Sequence, residues 1–200
     1  MIGLVKNPGG TPLYQLKITL NYSRPSIWRR IVVPSNLRLN RLHDVIQQVM
    51  PWTNCHMHHF IVGKPYSRDC IYYGRPNPQF ADMDSENLNE AKYTIADIAP
   101  AAKAKFYYEY DFGDGWEHQI VVEKVLPPDA GFKRVVCLAG KNACPPDDCG
   151  GIPGYYQMLE IIADPKHPDH EHMKLWLGVE WDAARFDLEE VNGALKRVKV

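Results

Sequence analysis

The 200-residue chain has no apolar run approaching the ~18 residues that a membrane-spanning helix needs, so no transmembrane segment and no membrane partner are expected. Its opening Met-Ile-Gly-Leu-Val-Lys-Asn-Pro-Gly-Gly is too short and too broken for a secretory leader, which makes a cytoplasmic protein the expectation. No internal repeat and no low-complexity tract interrupts it. Net charge is nearly absent: 23 Lys and Arg stand against 24 Asp and Glu, whereas a dedicated nucleic-acid binder is more often basic overall. A Gly-rich phosphate loop, a nucleophile elbow and a Ser/His/Asp arrangement are all missing. Asp111-Phe112-Gly113 matches the kinase magnesium triplet, but no His-Arg-Asp catalytic loop accompanies it, and the kinase reading fails.

What charge there is lies unevenly. Residues 1–50 hold seven basic side chains (Lys6, Lys17, Arg24, Arg29, Arg30, Arg38 and Arg41) against Asp44 alone. A basic quarter on an acidic body implies either an anionic partner or internal pairing. The arginines fall within predicted strands and a helix rather than a free tail, which favours internal pairing. Arg29 lies in phase with apolar Ile27, Ile31 and Val33, so it needs a buried partner. Asp111 is the simplest one.

The element pattern is that of an α+β protein. Alternation predicts strands over residues 14–20, 27–33 and 57–62, with a short one at 71–73 inside a Gly/Pro/Asn/Asp-rich loop over 63–90. Leu39, Leu42, Val45, Ile46 and Val49 predict a helix over 39–50, stopped by Pro51. Thr94 and Asp97 have the spacing of a capped helical turn. In residues 104–126, Phe106, Tyr108, Tyr110 and Phe112 alternate with polar neighbours; Trp116, His118, Ile120 and Val122 resume the alternation after Gly113-Asp114-Gly115. That is a β-hairpin with one aromatic face. Residues 127–154 read as a loop, and helices follow over 155–163, 169–177 and 187–197. The expectation is a single domain: a largely antiparallel or mixed sheet packed with helices over 12–126, a cysteine-bearing loop over 127–154, and a helical extension over 155–200.

Three groups of residues could carry chemistry. Asp111, Glu117 and His118 surround the hairpin turn, although a histidine beside aromatics is more often a hydrogen-bonded core residue. His56 and His58, two residues apart at a strand start, project from one face as metal-binding histidines do, while three histidines in four positions also suit a polar strand edge. Cys137-x6-Cys144-x4-Cys149 lies among prolines and glycines, where thiolates on a stiff turn suit a structural zinc site. Its fourth ligand would come from His56, His58, His118, Asp147 or Asp148. Packed free thiols, a metal site and a Cys144–Cys149 disulfide all stay open at this stage.

Several segments in order resemble a known family. They are Ile27-Trp28-Arg29-Arg30-Ile31, Leu42-His43, Trp52, His56-Met57-His58-His59-Phe60, Tyr110 to His118, Ala143 to Gly151, Asp164-Pro165-Lys166-His167-Pro168, and Phe186-Asp187. Together they are similar to the plasmid pRiA4b ORF-3-like family over about residues 12–195. The resemblance implies an α+β fold, no established activity, and links to plasmids or mobile elements. The leading functional expectation is a non-enzymatic binding or interaction module. Its anion or ligand cleft would use Arg29, Arg30, Asp111, Trp116 and His118, with zinc at Cys137, Cys144, Cys149, His56 and His58. The alternatives are a metal-dependent hydrolase on the His/Asp/Cys cluster, using His56, His58 or His118 with Asp111 or Glu117, and a nucleic-acid accessory protein linked to mobile elements. A protein or nucleic-acid partner fits either binding reading.

Overall fold

A computed structural model describes residues 10–76, 87–178 and 181–199. Part of the loop predicted over 63–90 therefore lies outside the described residues. The chain runs β1 (Leu13–Leu20), β2 (Trp28–Pro34), α1 (Leu39–Val49), β3 (His58–Val62), β4 (Ile71–Gly74) and β5 (Leu88–Asn89). After a 3-10 turn at Glu90–Lys92 come α2 (Ile95–Ile98), β6 (Lys105–Tyr110), β7 (Trp116–Leu126) and β8 (Val136–Lys141). Three helices close it: α3 (Gly151–Ala163), α4 (His170–Leu177) and α5 (Leu188–Leu195).

The eight strands form one sheet in the order β5-β4-β3-β6-β7-β1-β2-β8. Every described pairing is antiparallel except β4 with β5, so the sheet is mixed and the fold is α+β, as the strand and helix patterns predict. Period-2 alternation sends Leu16, Ile18 and Leu20 of β1 and Ile120 and Val122 of β7 into one apolar face. The apolar stripe of α1 (Leu39, Leu42, Val45, Ile46, Val49) covers that face, and these side chains are fully buried. The predicted hairpin forms, with Tyr110 opposite Trp116 and Phe106 opposite Ile120, but Phe112, expected on its aromatic face, lies beyond the strand end and is exposed. Thr94 and Asp97 make the predicted capping box.

One stretch predicted as loop is instead a strand. Residues 136–141 belong to the stretch read as loop, yet they form edge strand β8 on β2 and place Cys137 opposite Ile31. Only Cys137 of that strand is buried, while Val136 and Leu138 are exposed, so the segment carries too little inward alternation to be seen as a strand. Backbone pairing with β2 holds it instead. The helix predicted from 155 begins at Gly151, four residues early.

On the other face Arg30 meets Glu123 in a two-pronged contact (Nε to Oε2 2.6 Å, Nη2 to Oε1 2.8 Å), and Gln15 also donates to Glu123. The guanidinium holds the Glu123 carboxyl down to about 2. Much of the basic quarter is thus engaged internally: Arg41 bonds Asp44 and Arg38 bonds the Ala91 carbonyl.

Candidate functional site: a polar cleft and its three-loop rim

The polar residues of α1 define the site. His43 and Gln47 are one helical turn apart on the otherwise apolar buried stripe, beside Leu42 and Ile46. A polar pair there must find partners inside the protein. Gln47 Nε2 donates to the Tyr108 hydroxyl (3.1 Å), which donates to His43 Nδ1 (2.8 Å). His43 Nε2–H in turn donates to Asn54 Oδ1 (2.7 Å), the direction set by the amide oxygen being only an acceptor. Burial, reinforced by nearby His58, lowers the His43 pKa to about 3, so the ring is neutral. His58 from β3 stacks on it, ring centres 3.5 Å apart and nearly parallel. His58 Nε2 reaches Glu90 Oε2 at 2.9 Å, with both side chains almost wholly shielded.

Above these groups lies a cleft of about 1060 Å³ between α1, the start of β3, the end of β4 and the 3-10 turn. Its lining includes Asn40, His43, Asn54, His56, His58 and Glu90, with Arg41, Asp44 and Arg75 adding charge. Arg41 is held by Asp44 at 3.0 Å. Arg75 has no carboxylate partner among the described residues. Asn40 Oδ1 is shielded from solvent and accepts no hydrogen bond. Polar groups already fixed by protein partners, beside others left unanswered, give a preorganised surface for a polar ligand.

At the rim three loops converge. The segment before β3 brings His56, the hairpin turn brings Asp111, and the loop before α3 brings Asp148. The Asp111 backbone N–H bonds the Met57 carbonyl, locking the first two together. Asp111 Oδ1 accepts from the Gly113 N–H (3.0 Å), which leaves Oδ2 toward His56. The third loop is tied down by Trp52 Nε1 donating to the Pro145 carbonyl and by the Thr53 N–H and hydroxyl donating to Asp147 Oδ2. Gly151 adopts φ +66°, and a Cβ there would lie 2.4 Å from the Asp114 carbonyl oxygen; only glycine lets α3 start this close to the turn.

The structure separates the residues expected to form an anion cleft. Asp111 does not pair with Arg29; its carboxylate faces His56. Arg29 is buried and donates to the carbonyls of Val49 (2.8 Å), Trp28 (2.9 Å) and Lys141 (3.0 Å), with Phe186 against its guanidinium. It satisfies the end of α1 and the β2–β8 edge, a role for which carbonyl dipoles suffice. Arg30 lies on the opposite face. Trp116 and His118 are inaccessible in the aromatic core, where His118 Nδ1 faces the Tyr108 carbonyl and burial lowers its pKa to about 4. Glu117 points away and bonds Asn21.

Nor do the expected zinc ligands meet. All five cysteines are free thiols. Cys137 faces the Ala139 carbonyl, Cys144 is buried, and burial raises the pKa of both. His58 is taken by Glu90. Among the described residues, the ligand atoms that do converge are those of His56, Asp111 and Asp148, all within 4.8 Å of one another. The hydrolase alternative already joins His56 with Asp111, whereas Asp148 enters only as a possible fourth ligand for the cysteines. His43 enters the sequence reading only within a family-like segment and Glu90 not at all, although the polar i, i+4 pair His43 and Gln47 on the buried stripe of α1 is a readable signal.

Comparison with known proteins agrees with the fold and leaves the chemistry open. Residues 12–190 match the family described as plasmid pRiA4b ORF-3-like protein. The chain is similar to the uncharacterized protein y4hQ of Sinorhizobium fredii, 35% identical over 184 residues that cover 90% of this chain and 89% of that one. It is also similar to the crystal structure of MM3350, a protein of unknown function from Methanosarcina mazei Go1, with 33% identity, a TM-score of 0.78, and coverage of 90% of this chain and 98% of that one.

Proposed function

The chain belongs to the plasmid pRiA4b ORF-3-like family, and we propose that it acts as a binding module for a small anionic ligand held in the cleft beside α1. The carrying observation is the cleft of about 1060 Å³ with the shielded His58–Glu90 pair and the neutral His43 at its base. A buried imidazole–carboxylate pair costs desolvation that apolar packing avoids, so its place at the base of a cavity is a mark of a ligand site. The sign of the ligand is inferred from the exposed Arg75. Asp44 is answered by Arg41 and Glu90 by His58, while Arg75 has no carboxylate among the described residues.

Thermal unfolding with millimolar inorganic phosphate or citrate tests this. A ligand that binds only the folded state raises the midpoint as its concentration passes Kd. The midpoint should rise with at least one of these anions and stay flat in Arg75→Ala, which alters an exposed side chain. No shift with either anion, or an equal shift in Arg75→Ala, refutes the reading.

A further inference from the structure

We propose that His56, Asp111 and Asp148 form a binding site for one divalent transition cation, such as Zn²⁺ or Mn²⁺, distinct from the cysteines. His56 Nε2 lies 3.3 Å from Asp148 Oδ1 and 3.6 Å from Asp111 Oδ2. Neither contact is a hydrogen bond, and His56 Nε2 is shielded from solvent without a hydrogen-bond partner. A buried polar atom left in this state calls for an explanation. The distances supply one: donors bound tetrahedrally at ~2.1 Å from a metal lie ~3.4 Å apart, so the two measured separations are those of ligands around a common centre.

Other shielded, unpartnered atoms serve as a control. Trp116 Nε1 and His118 Nε2 are also unpaired, but they lie in the aromatic core and belong to no such group. The donor set also limits the cation. Two carboxylates balance a +2 charge, and one imidazole favours a transition metal over Mg²⁺ or Ca²⁺. Asp111 is preset, because its Oδ1 is held by the Gly113 N–H while Oδ2 stays available. Asp148 is exposed and held at φ 59° by its loop. Three protein ligands leave at least one coordination position for water or a ligand atom. Because His56 also lines the cleft, the cation adds positive charge at the edge of the proposed anion site.

The test is calorimetric titration of chelator-treated full chain with Zn²⁺ and with Mn²⁺, using Mg²⁺ as reference. One equivalent of Zn²⁺ or Mn²⁺ should bind, and affinity should fall about tenfold or more in Asp148→Asn and in His56→Gln. Asp148→Asn should leave the metal-free unfolding midpoint unchanged, which separates loss of a ligand from loss of the fold. Loading with Co²⁺ should give visible d–d absorption without a thiolate charge-transfer band. Absence of stoichiometric binding overturns the proposal, as does binding that persists in Asp148→Asn but is lost in Cys144→Ser. Anion binding to the metal-free protein is a separate result and stands or falls independently.

Discussion

The two ends of the sheet treat buried polar groups in opposite ways. At the β2–β8 end, Arg29 is buried with the Phe186 ring against its guanidinium, and its Nε and Nη1 donate to three carbonyls that tie α1 to the β2–β8 edge; Nη2 makes no hydrogen bond among the described residues, and the residue borders a smaller cavity of about 250 Å³. At the β3–β4 end, His43, His58 and Glu90 are just as firmly held, but they border a cavity where Asn40 Oδ1 and His56 Nε2 lack partners. A polar group whose bonds tie several backbone segments together is structural, and polar atoms left unanswered beside a large polar cleft are those that can serve a ligand. A charged residue on a buried strand face is therefore ambiguous until its acceptors are counted.

Breaking the β2–β8 end should cost the most. Arg29→Met keeps much of the side-chain volume but strands the Val49, Trp28 and Lys141 carbonyls, so unfolding in urea should show a loss of about 2–4 kcal/mol. A loss near zero would mean that water replaces the guanidinium and that this end is not closed. Tyr108→Phe comes next, since it removes the hydroxyl shared by Gln47 and His43. Two buried groups then lose a partner, for about 1–3 kcal/mol. A smaller cost would show that the base of the cleft is as open as its mouth.

Acidification strains the fold through two neutral histidines, one at the base of the cleft and one in the aromatic core. The folded pKa of His43 is lowered to about 3 and that of His118 to about 4, both from 6.5. Below pH about 6.5 the unfolded rings take up protons that the folded ones refuse, so the unfolded state binds more protons. Stability is therefore full above that pH and falls as pH drops toward 4. Glu123, lowered from 4.5 to about 2, adds its own loss only at more acid pH. Urea midpoints at pH 7.5 and pH 5 check the sign: an unchanged or higher midpoint at pH 5 would mean that neither ring is held neutral.

Legibility in the sequence followed the same division. Residues whose burial imposes a period, such as Leu16, Ile18 and Leu20 on β1 or Leu39 to Val49 on α1, announced their elements. The aromatic hairpin did so through alternation and its glycine turn. Strand β8 stayed hidden because backbone bonds to β2, not side-chain burial, hold it. Arg29 was correctly read as needing a buried partner, but carbonyls of three distant segments answer it, and backbone carbonyls carry no sequence signature. The rim is only half legible: residue type allows His56 and Asp111 to be joined in the hydrolase alternative, whereas their meeting with Asp148 depends on how three loops fold together.

The smallest effect sets the scale for the rest. Arg30 and Glu123 form the shortest ion pair between arginine and carboxylate among the described residues, and the Glu123 carboxyl is held far below its usual range. Taken at face value, that shift makes the pair a major support of the basic quarter. The side chains, however, are 30% and 22% exposed on the outer face of the sheet, where water and salt screen them. A double-mutant cycle with Arg30→Met and Glu123→Gln should give a coupling of no more than about 1 kcal/mol, shrinking as salt rises. Arg29, next in sequence but pointing inward, should cost several times more without any carboxylate partner. If the Arg30 coupling instead equalled the Arg29 loss, the environment of a charge would matter less than its partner, and the contrast between enclosed and open polar groups would lose its physical basis.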